Sequence, residues 1–294
     1  MQIGGIFFIK KRGFEQGIQK EEKDMTDFER IKGYYRCFNE DGRLSADASG
    51  RFEYEMTMKI LTKYMPEKGT VLDLGGASGA YAFPLAEMGY NVYLADLSED
   101  LINIAKEKAS KIANCNVLSC DVVNATDLSR YADGSFDAVL FMGPLYHLLE
   151  ESERNAAVKE VYRVLKKGGI VFAAFIPYLS GSIGIAERLV YHPGQVDREN
   201  LKKVFETGKF VNAVKEGFQE GFYATSDYIE KLFADNGYVK KVIRSIRGFA
   251  YNKEDFFSNV RPDMKEDVIE LIETTSEMKE IVEMCGHAMY VGVK

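Results

Sequence analysis

Several short stretches of this sequence place polar or backbone-baring residues where apolar runs stop. The first is Asp73-Leu74-Gly75-Gly76-Ala77-Ser78-Gly79, at the end of the run TVLDL. Glycines that follow a strand and open a helix allow tight backbone turns and close approach of a ligand. The helix start adds free N–H groups. Such a turn suits a small, charged ligand. Asp96 ends the run NVYLAD, and Asp121 follows NVLSC. The run FDAVLFMG leads into Tyr146-His147. An imidazole there has the right ordinary pKa for a general base, and is equally suited to capping the next helix or bonding a backbone carbonyl.

The elements that must position these residues follow from periodicity. Residues 51–65 carry apolar side chains at helical spacing, stopped by Pro66 to Gly69. Strands are expected at 70–74, 91–96, 116–120, 136–143 and 170–176. Helices are expected at 79–88, at 99–113 behind an N-cap Ser98, and at 151–166, ended by Gly168 and Gly169. This alternation predicts an α/β chain with a doubly wound, mostly parallel sheet. Ligands in such sheets bind beyond the carboxyl ends of the strands. Residues 75–79, Asp96, Asp121 and 142–147 should therefore meet at one rim. After Pro177 the rhythm breaks, and residues 178–224 read as an inserted helical cap containing the loop GFQEGFYAT. A helix at 226–236, a strand at 239–250, a helical stretch at 253–283 and a last strand at 287–294 complete the pattern.

The dinucleotide fingerprint G-x-G-x-x-G fails from Gly75, which meets Ala77 and Ala80, and from Gly76, which meets Ser78 and Tyr81. The template D-x-G-x-G-x-G fits except at Ala77. With EVYRVLKKGGIVFAAF at 160–175, the chain resembles the class I S-adenosylmethionine-dependent methyltransferases, strongly over 55–176 and more loosely over 225–250 and 287–294. The resemblance implies a seven-stranded, Rossmann-like sheet, with 67–177 and 225–294 as the S-adenosylmethionine-binding domain and 25–66 as an N-terminal helical lid. It also implies a donor site. Gly75, Gly76, Ala77 and Gly79 would form the loop, and Asp73 would order it or hold the donor's amino end. Asp96 would take the ribose hydroxyls, with Leu97 on the adenine face and Asp121 and Val122 at the adenine edge. Met142 and Gly143 would line the methionine end. Tyr35, in a segment that folds over the donor in similar proteins, and Phe222 and Tyr223 in the cap are candidates for the acceptor pocket. Tyr146 and His147 are candidates for catalysis.

A formal net charge of −7 argues against a nucleic-acid surface. Cys37, Cys115, Cys120 and Cys285 show neither a paired spacing nor a zinc pattern, which fits a reducing cytoplasm and no metal. Residues 1–24 read as an extension without the order of a secretory signal, and no run is long enough for a membrane helix. Arg43 and Arg51 are candidates for an acidic acceptor or for solvated charges. His287 reads as structural. The resulting expectation is methyl transfer to a small-molecule acceptor by a monomer or homodimer. An RNA or protein acceptor, donor binding without catalysis, and a nicotinamide-dependent oxidoreductase are the alternatives.

Overall fold

The runs VLDL, VYLA and AVLF are apolar on both faces, as strands covered on two sides must be. In the computed structural model they form the centre of the sheet. The structure describes residues 26–294 except 39, 216 and 256–258. The expected extension at 1–24 lies outside the described residues.

Strands β1 (Thr70–Leu74), β2 (Asn91–Asp96), β3 (Val117–Val122), β4 (Phe136–Phe141) and β5 (Leu165–Pro177) are parallel. Two cap strands, β6 (Lys209–Val211) and β7 (Glu220–Ala224), follow, then β8 (Val239–Ser245) and β9 (Ala288–Val293). Strand β9 inserts antiparallel between β5 and β8, so the main sheet runs β3-β2-β1-β4-β5-β9-β8. This is the seven-stranded, doubly wound sheet expected above. The order reverses between β1 and β4, which opens a crevice at their carboxyl ends.

Before β1 come α1 (Phe28–Cys37), α2 (Arg43–Ala46) and α3 (Ala48–Tyr64); α4 (Ala82–Glu87), α5 (Glu99–Ser110) and α6 (Glu151–Val164) connect the parallel strands. Helices α7 (Tyr178–Tyr191) and α8 (Arg198–Thr207) belong to the cap, and α9 (Ser226–Asp235), α10 (Lys265–Thr275) and α11 (Lys279–Glu283) complete the chain. Strand alternation divides the core. Leu72, Leu74, Val139 and Phe141 pack with Val158 and Val161 of α6 and Phe233 of α9. Val71, Ala138, Leu140 and Phe172 pack with Met56 and Ile60 of α3, Leu85 of α4 and Ile102 of α5.

Several boundaries differ from expectation, and strand β8, expected to run to residue 250, ends at Ser245. Helix α6 stops at Val164, because Leu165 is already extended and pairs with Phe136. Helix α5 stops at Ser110, and the chain turns through Asn114 at φ 56°. The cap is not purely helical: residues 220–224, expected as loop, form β7, which pairs with β6 and with Ile176–Pro177 at the end of β5. No helix among the described residues is long and apolar enough to cross a membrane.

Candidate active site

Leu74, Gly75 and Ala77 at the end of β1, Asp96 and Leu97 at the end of β2, and Met142, Gly143 and Tyr146 after β4 line one cavity. Phe28, Ile31 and Tyr35 of α1 close it, leaving about 780 Å³ of non-atom space, part of it open to solvent. The glycine loop is anchored from below. The Gly75 N–H donates to Ala95 O at 2.8 Å. The Asp96 carboxylate accepts from the N–H of Ala77 at 2.9 Å and of Ser98 at 2.8 Å. Burial pushes Asp96 up to about 6.

Asp73 lies beneath the loop rather than on the cavity wall. A Cβ at Gly76 would sit 2.6 Å from its carboxyl group, so only glycine fits above it. Neither Asp73 oxygen meets a partner in full hydrogen-bond geometry. Burial and the nearby Asp96 charge push this carboxyl up to about 7. Gly79 also lies off the cavity, with its Cβ position 2.6 Å from the Phe83 ring. Ser78 bonds Asp41, which also pairs with Lys108, and this ties the loop to the segment between α1 and α2. These two partners hold Asp41 below the usual carboxylate range.

Ala77, the departure from the glycine template, has φ 50°. A side chain in this left-handed region costs about 1–2 kcal/mol, which glycine avoids, while glycine loosens the unfolded chain by about 0.4–1 kcal/mol. Ala77→Gly is therefore expected to change stability by less than about 1 kcal/mol and to leave donor affinity intact. Chemical denaturation and calorimetry check this; a large loss of affinity would show that the Ala77 methyl is itself part of the binding surface.

Besides Asp73, Gly76 and Gly79, three sequence candidates do not reach the cavity. Asp121 is turned to Arg130 at 2.9 Å and Ser119 at 2.7 Å, and Val122 is 45% exposed. Strand β3 runs on through Val122, so Val123, Asn124 and Ala125 are the residues that reach the rim. Phe222 points into the core, where the Arg154 guanidinium lies 3.5 Å from its ring centre. Alternation along β7 turns Tyr223 to the opposite face, where it lines a second cavity.

This second cavity adjoins the first and shares Tyr35, Glu40, Arg43 and Tyr146 with it. Its other walls include Tyr34, Phe218, Tyr223, Arg188 and His287. Arg43 donates to Glu40 at 2.8 Å and to Glu53 at 3.0 Å, so it is not a free cation. Arg51 lies outside both cavities. His287 Nδ1 is 3.2 Å from Glu53.

His147 is buried, with both ring nitrogens engaged. Its Nδ1–H donates to Glu220 O at 3.0 Å, a carbonyl that can only accept, so Nε2 accepts from the Tyr35 hydroxyl at 2.9 Å. Burial pulls His147 down to about 4. Its ring thus orients Tyr35. Tyr146 is pushed well up by burial and keeps its proton at neutral pH, which suits a donor rather than a base.

The His147 shift has a consequence for stability. Below about 6.5 the unfolded imidazole takes a proton, and the folded one does not until about 4. Stability is therefore lost as pH falls through that window, by up to about 3 kcal/mol from this group. Asp73, raised in the fold, acts oppositely, losing stability as pH rises from 3.8 to about 7. Comparing thermal melts of the wild type and His147→Gln from pH 7 to 4 isolates the histidine: the variant should decline less, and parallel curves would contradict a neutral buried ring.

Sequence reasoning missed Val123 to Ala125, Glu40, Phe218 and Arg188. The first group could have been found by extending the strand two residues. Arg188 carried no signal without the cap's fold. Among the described residues, no cluster of acidic, cysteine or histidine side chains fits a metal ion.

Comparison with known proteins agrees with this geometry. Residues 72–173 match the methyltransferase domain family. YqeM of Bacillus subtilis, named provisionally as a methyltransferase, is 34% identical over 40% of this chain and 47% of its own. The tRNA 5-carboxymethoxyuridine methyltransferase of Escherichia coli K12 is 28% identical over 40% of this chain and 44% of its own. The glycine/sarcosine N-methyltransferase of Parasynechococcus marenigrum is 27% identical over 70% of each chain. The first two matches span less than half of those relatives' length. A methyltransferase structure from Methanosarcina mazei shares the fold at TM-score 0.56 and 20% identity, over 80% of this chain and 96% of its own. The glycine loop under β1, the carboxylate at the end of β2, the strand order and the domain family matched over residues 72–173 together support a class I S-adenosylmethionine-dependent methyltransferase.

Proposed function

We propose that the chain transfers the methyl group of S-adenosylmethionine to a small molecule held in the second cavity. The observation that carries this reading is the shared wall: Tyr35, Glu40, Arg43 and Tyr146 border both cavities, so a donor in one and an acceptor in the other meet there.

The residues fit the donor. The loop backbone leaves room for it, Asp96 presents a carboxylate to the cavity, and the buried Asp73 carboxyl lies under the loop. Asp96 would hold the ribose hydroxyls, Leu97 and Val123 to Ala125 the base, and Gly75, Met142 and Gly143 the amino-acid end, with Asp73 supporting it. When bound, S-adenosylmethionine supplies an electrophilic methyl on a sulfonium. The chain's task is alignment and exclusion of water, and alignment alone is worth roughly 7–11 kcal/mol of barrier. The Tyr35 hydroxyl donates its hydrogen bond to His147 Nε2, so its oxygen is left to accept from an acceptor N–H or O–H at the shared wall. Helix α1 acts as the lid.

A cavity walled by aromatic rings and an acidic chain favour a small acceptor over tRNA or protein. The test incubates the full chain with methyl-labelled S-adenosylmethionine and separate small-molecule, tRNA and protein pools. Label is expected in the small-molecule fraction. Label confined to tRNA or protein would overturn the acceptor class, and no transfer to any pool would favour a binding protein without turnover.

A further inference from the structure

Helix α7 contributes Ser180, Gly184 and Arg188 to the second cavity. Spaced four apart, they share one helix face. The Ser180 hydroxyl accepts from the Gly286 N–H at 2.9 Å. At Gly184 no atom lies within 4 Å of the position a Cβ would take. Glycine inside a helix is destabilising, and here the absent side chain keeps the cavity open.

Arg188 is held over aromatic rings, 4.9 Å from the centre of Phe210 and 5.7 Å from that of Phe218. Its Nη1 is buried and has no hydrogen-bond partner among the described residues. A buried guanidinium N–H without an acceptor is costly. The other arginine of this cavity is already matched, since Arg43 sits between Glu40 and Glu53. His287 is turned to Glu53. Arg188 is thus a preformed donor on an aromatic wall, and its Nη1 meets no anion among the described residues.

We infer that the acceptor is a small monocarboxylate with a flat apolar body. Its carboxylate pairs with Arg188, its body lies against Tyr34, Phe218 and Tyr223, and its nucleophilic end reaches the wall at Tyr35 and Tyr146. One guanidinium matches one negative charge, which favours a carboxylate over the nearly doubly charged phosphate monoester. The inference rests on the second cavity being the acceptor site.

The test titrates the full chain, saturated with S-adenosylhomocysteine, with benzoate, anthranilate and phenylacetate and with the carboxamide of each. At least one acid should bind, and its amide should bind about 30-fold more weakly or not at all. Arg188→Met should weaken the acid by about 30-fold or more, leave S-adenosylhomocysteine affinity within about twofold, and be partly rescued by Arg188→Lys. Gly184→Leu, which fills the open floor, should exclude the acids and keep S-adenosylhomocysteine. Acids and amides that bind alike, no acid binding, or acid affinity unchanged in Arg188→Met would overturn the inference while the donor reading stands on its own titration. Failure to bind S-adenosylhomocysteine would overturn the donor reading, and the same acid titrations on the free chain would still decide Arg188.

Discussion

Asp96→Ala should weaken S-adenosylhomocysteine binding by about 100-fold while the far-ultraviolet circular dichroism of the fold persists. Hydrogen bonds to a charged group contribute about 1.5–3 kcal/mol each, and losing roughly 3 kcal/mol is a factor of about 100. The substitution also removes the acceptor for the Ala77 and Ser98 N–H groups, so the loop loses its anchor at the same time. The residue stands at the sheet's rim and leaves both core layers untouched. The wild type should show a matching pH dependence. Burial pushes the Asp96 and Asp73 carboxyls up to about 6 and about 7, and a cationic donor that offers hydroxyls favours their ionised forms. Affinity for S-adenosylmethionine should therefore rise between pH 5.5 and 7.5, and Asp96→Ala should flatten the curve. Calorimetry across that range measures both effects. A folded Asp96→Ala protein with wild-type affinity would remove Asp96 from the donor site.

The largest effect on stability is expected at Glu53. This α3 side chain is only 6% exposed and faces Arg43 at 3.0 Å, His287 at 3.2 Å and Arg247 at 3.6 Å. Hydrogen bonding to His287 and the charges of Arg43 and Arg247 hold its carboxyl far below the usual range despite burial. Removing one member of a buried ionic cluster leaves the others uncompensated, at a cost of about 3–5 kcal/mol. Glu53→Gln should therefore lower the melting temperature by on the order of 10 °C at pH 7. The sign with pH follows from a depressed carboxylate: its stabilisation is present above 4.5 and is lost as pH falls below that value. The gap between wild type and variant should narrow in acid. A variant as stable as the wild type at pH 7 would show that the cluster is solvated and contributes little. Arg43 also borders both cavities, so Glu53→Gln should disturb the site as well as the fold.

The half of the molecule that carries the glycine loop was legible because its strands obey a local rule. Buried parallel strands are apolar on both faces, and the first of them runs straight into a glycine turn. Gly75, Ala77, Asp96, Leu97, Met142 and Gly143 come together at one cavity as the rim argument requires. Asp121 and Val122 do not, because the carboxyl end of β3 lies two residues later than NVLSC suggests. Phe222 lies in the core for a related reason: once residues 220–224 are a strand, neighbours face opposite ways, and Tyr223 is the one that lines the second cavity. His147 met its partners across long sequence distances, from Tyr35 in α1 and Glu220 in the cap, and no local pattern records such contacts. The same holds for Arg188, whose surroundings are Phe210 and Phe218 from a different part of the cap.

The central claim is that the crevice between β1 and β4 is a donor site for S-adenosylmethionine. Calorimetric titration of the purified chain with S-adenosylmethionine, S-adenosylhomocysteine and the nicotinamide dinucleotides, run in parallel, tests it most directly. Micromolar binding of the two adenosyl compounds, with no heat from the dinucleotides, is the predicted result. Binding of a nicotinamide dinucleotide alone, or of none of these compounds, would contradict it.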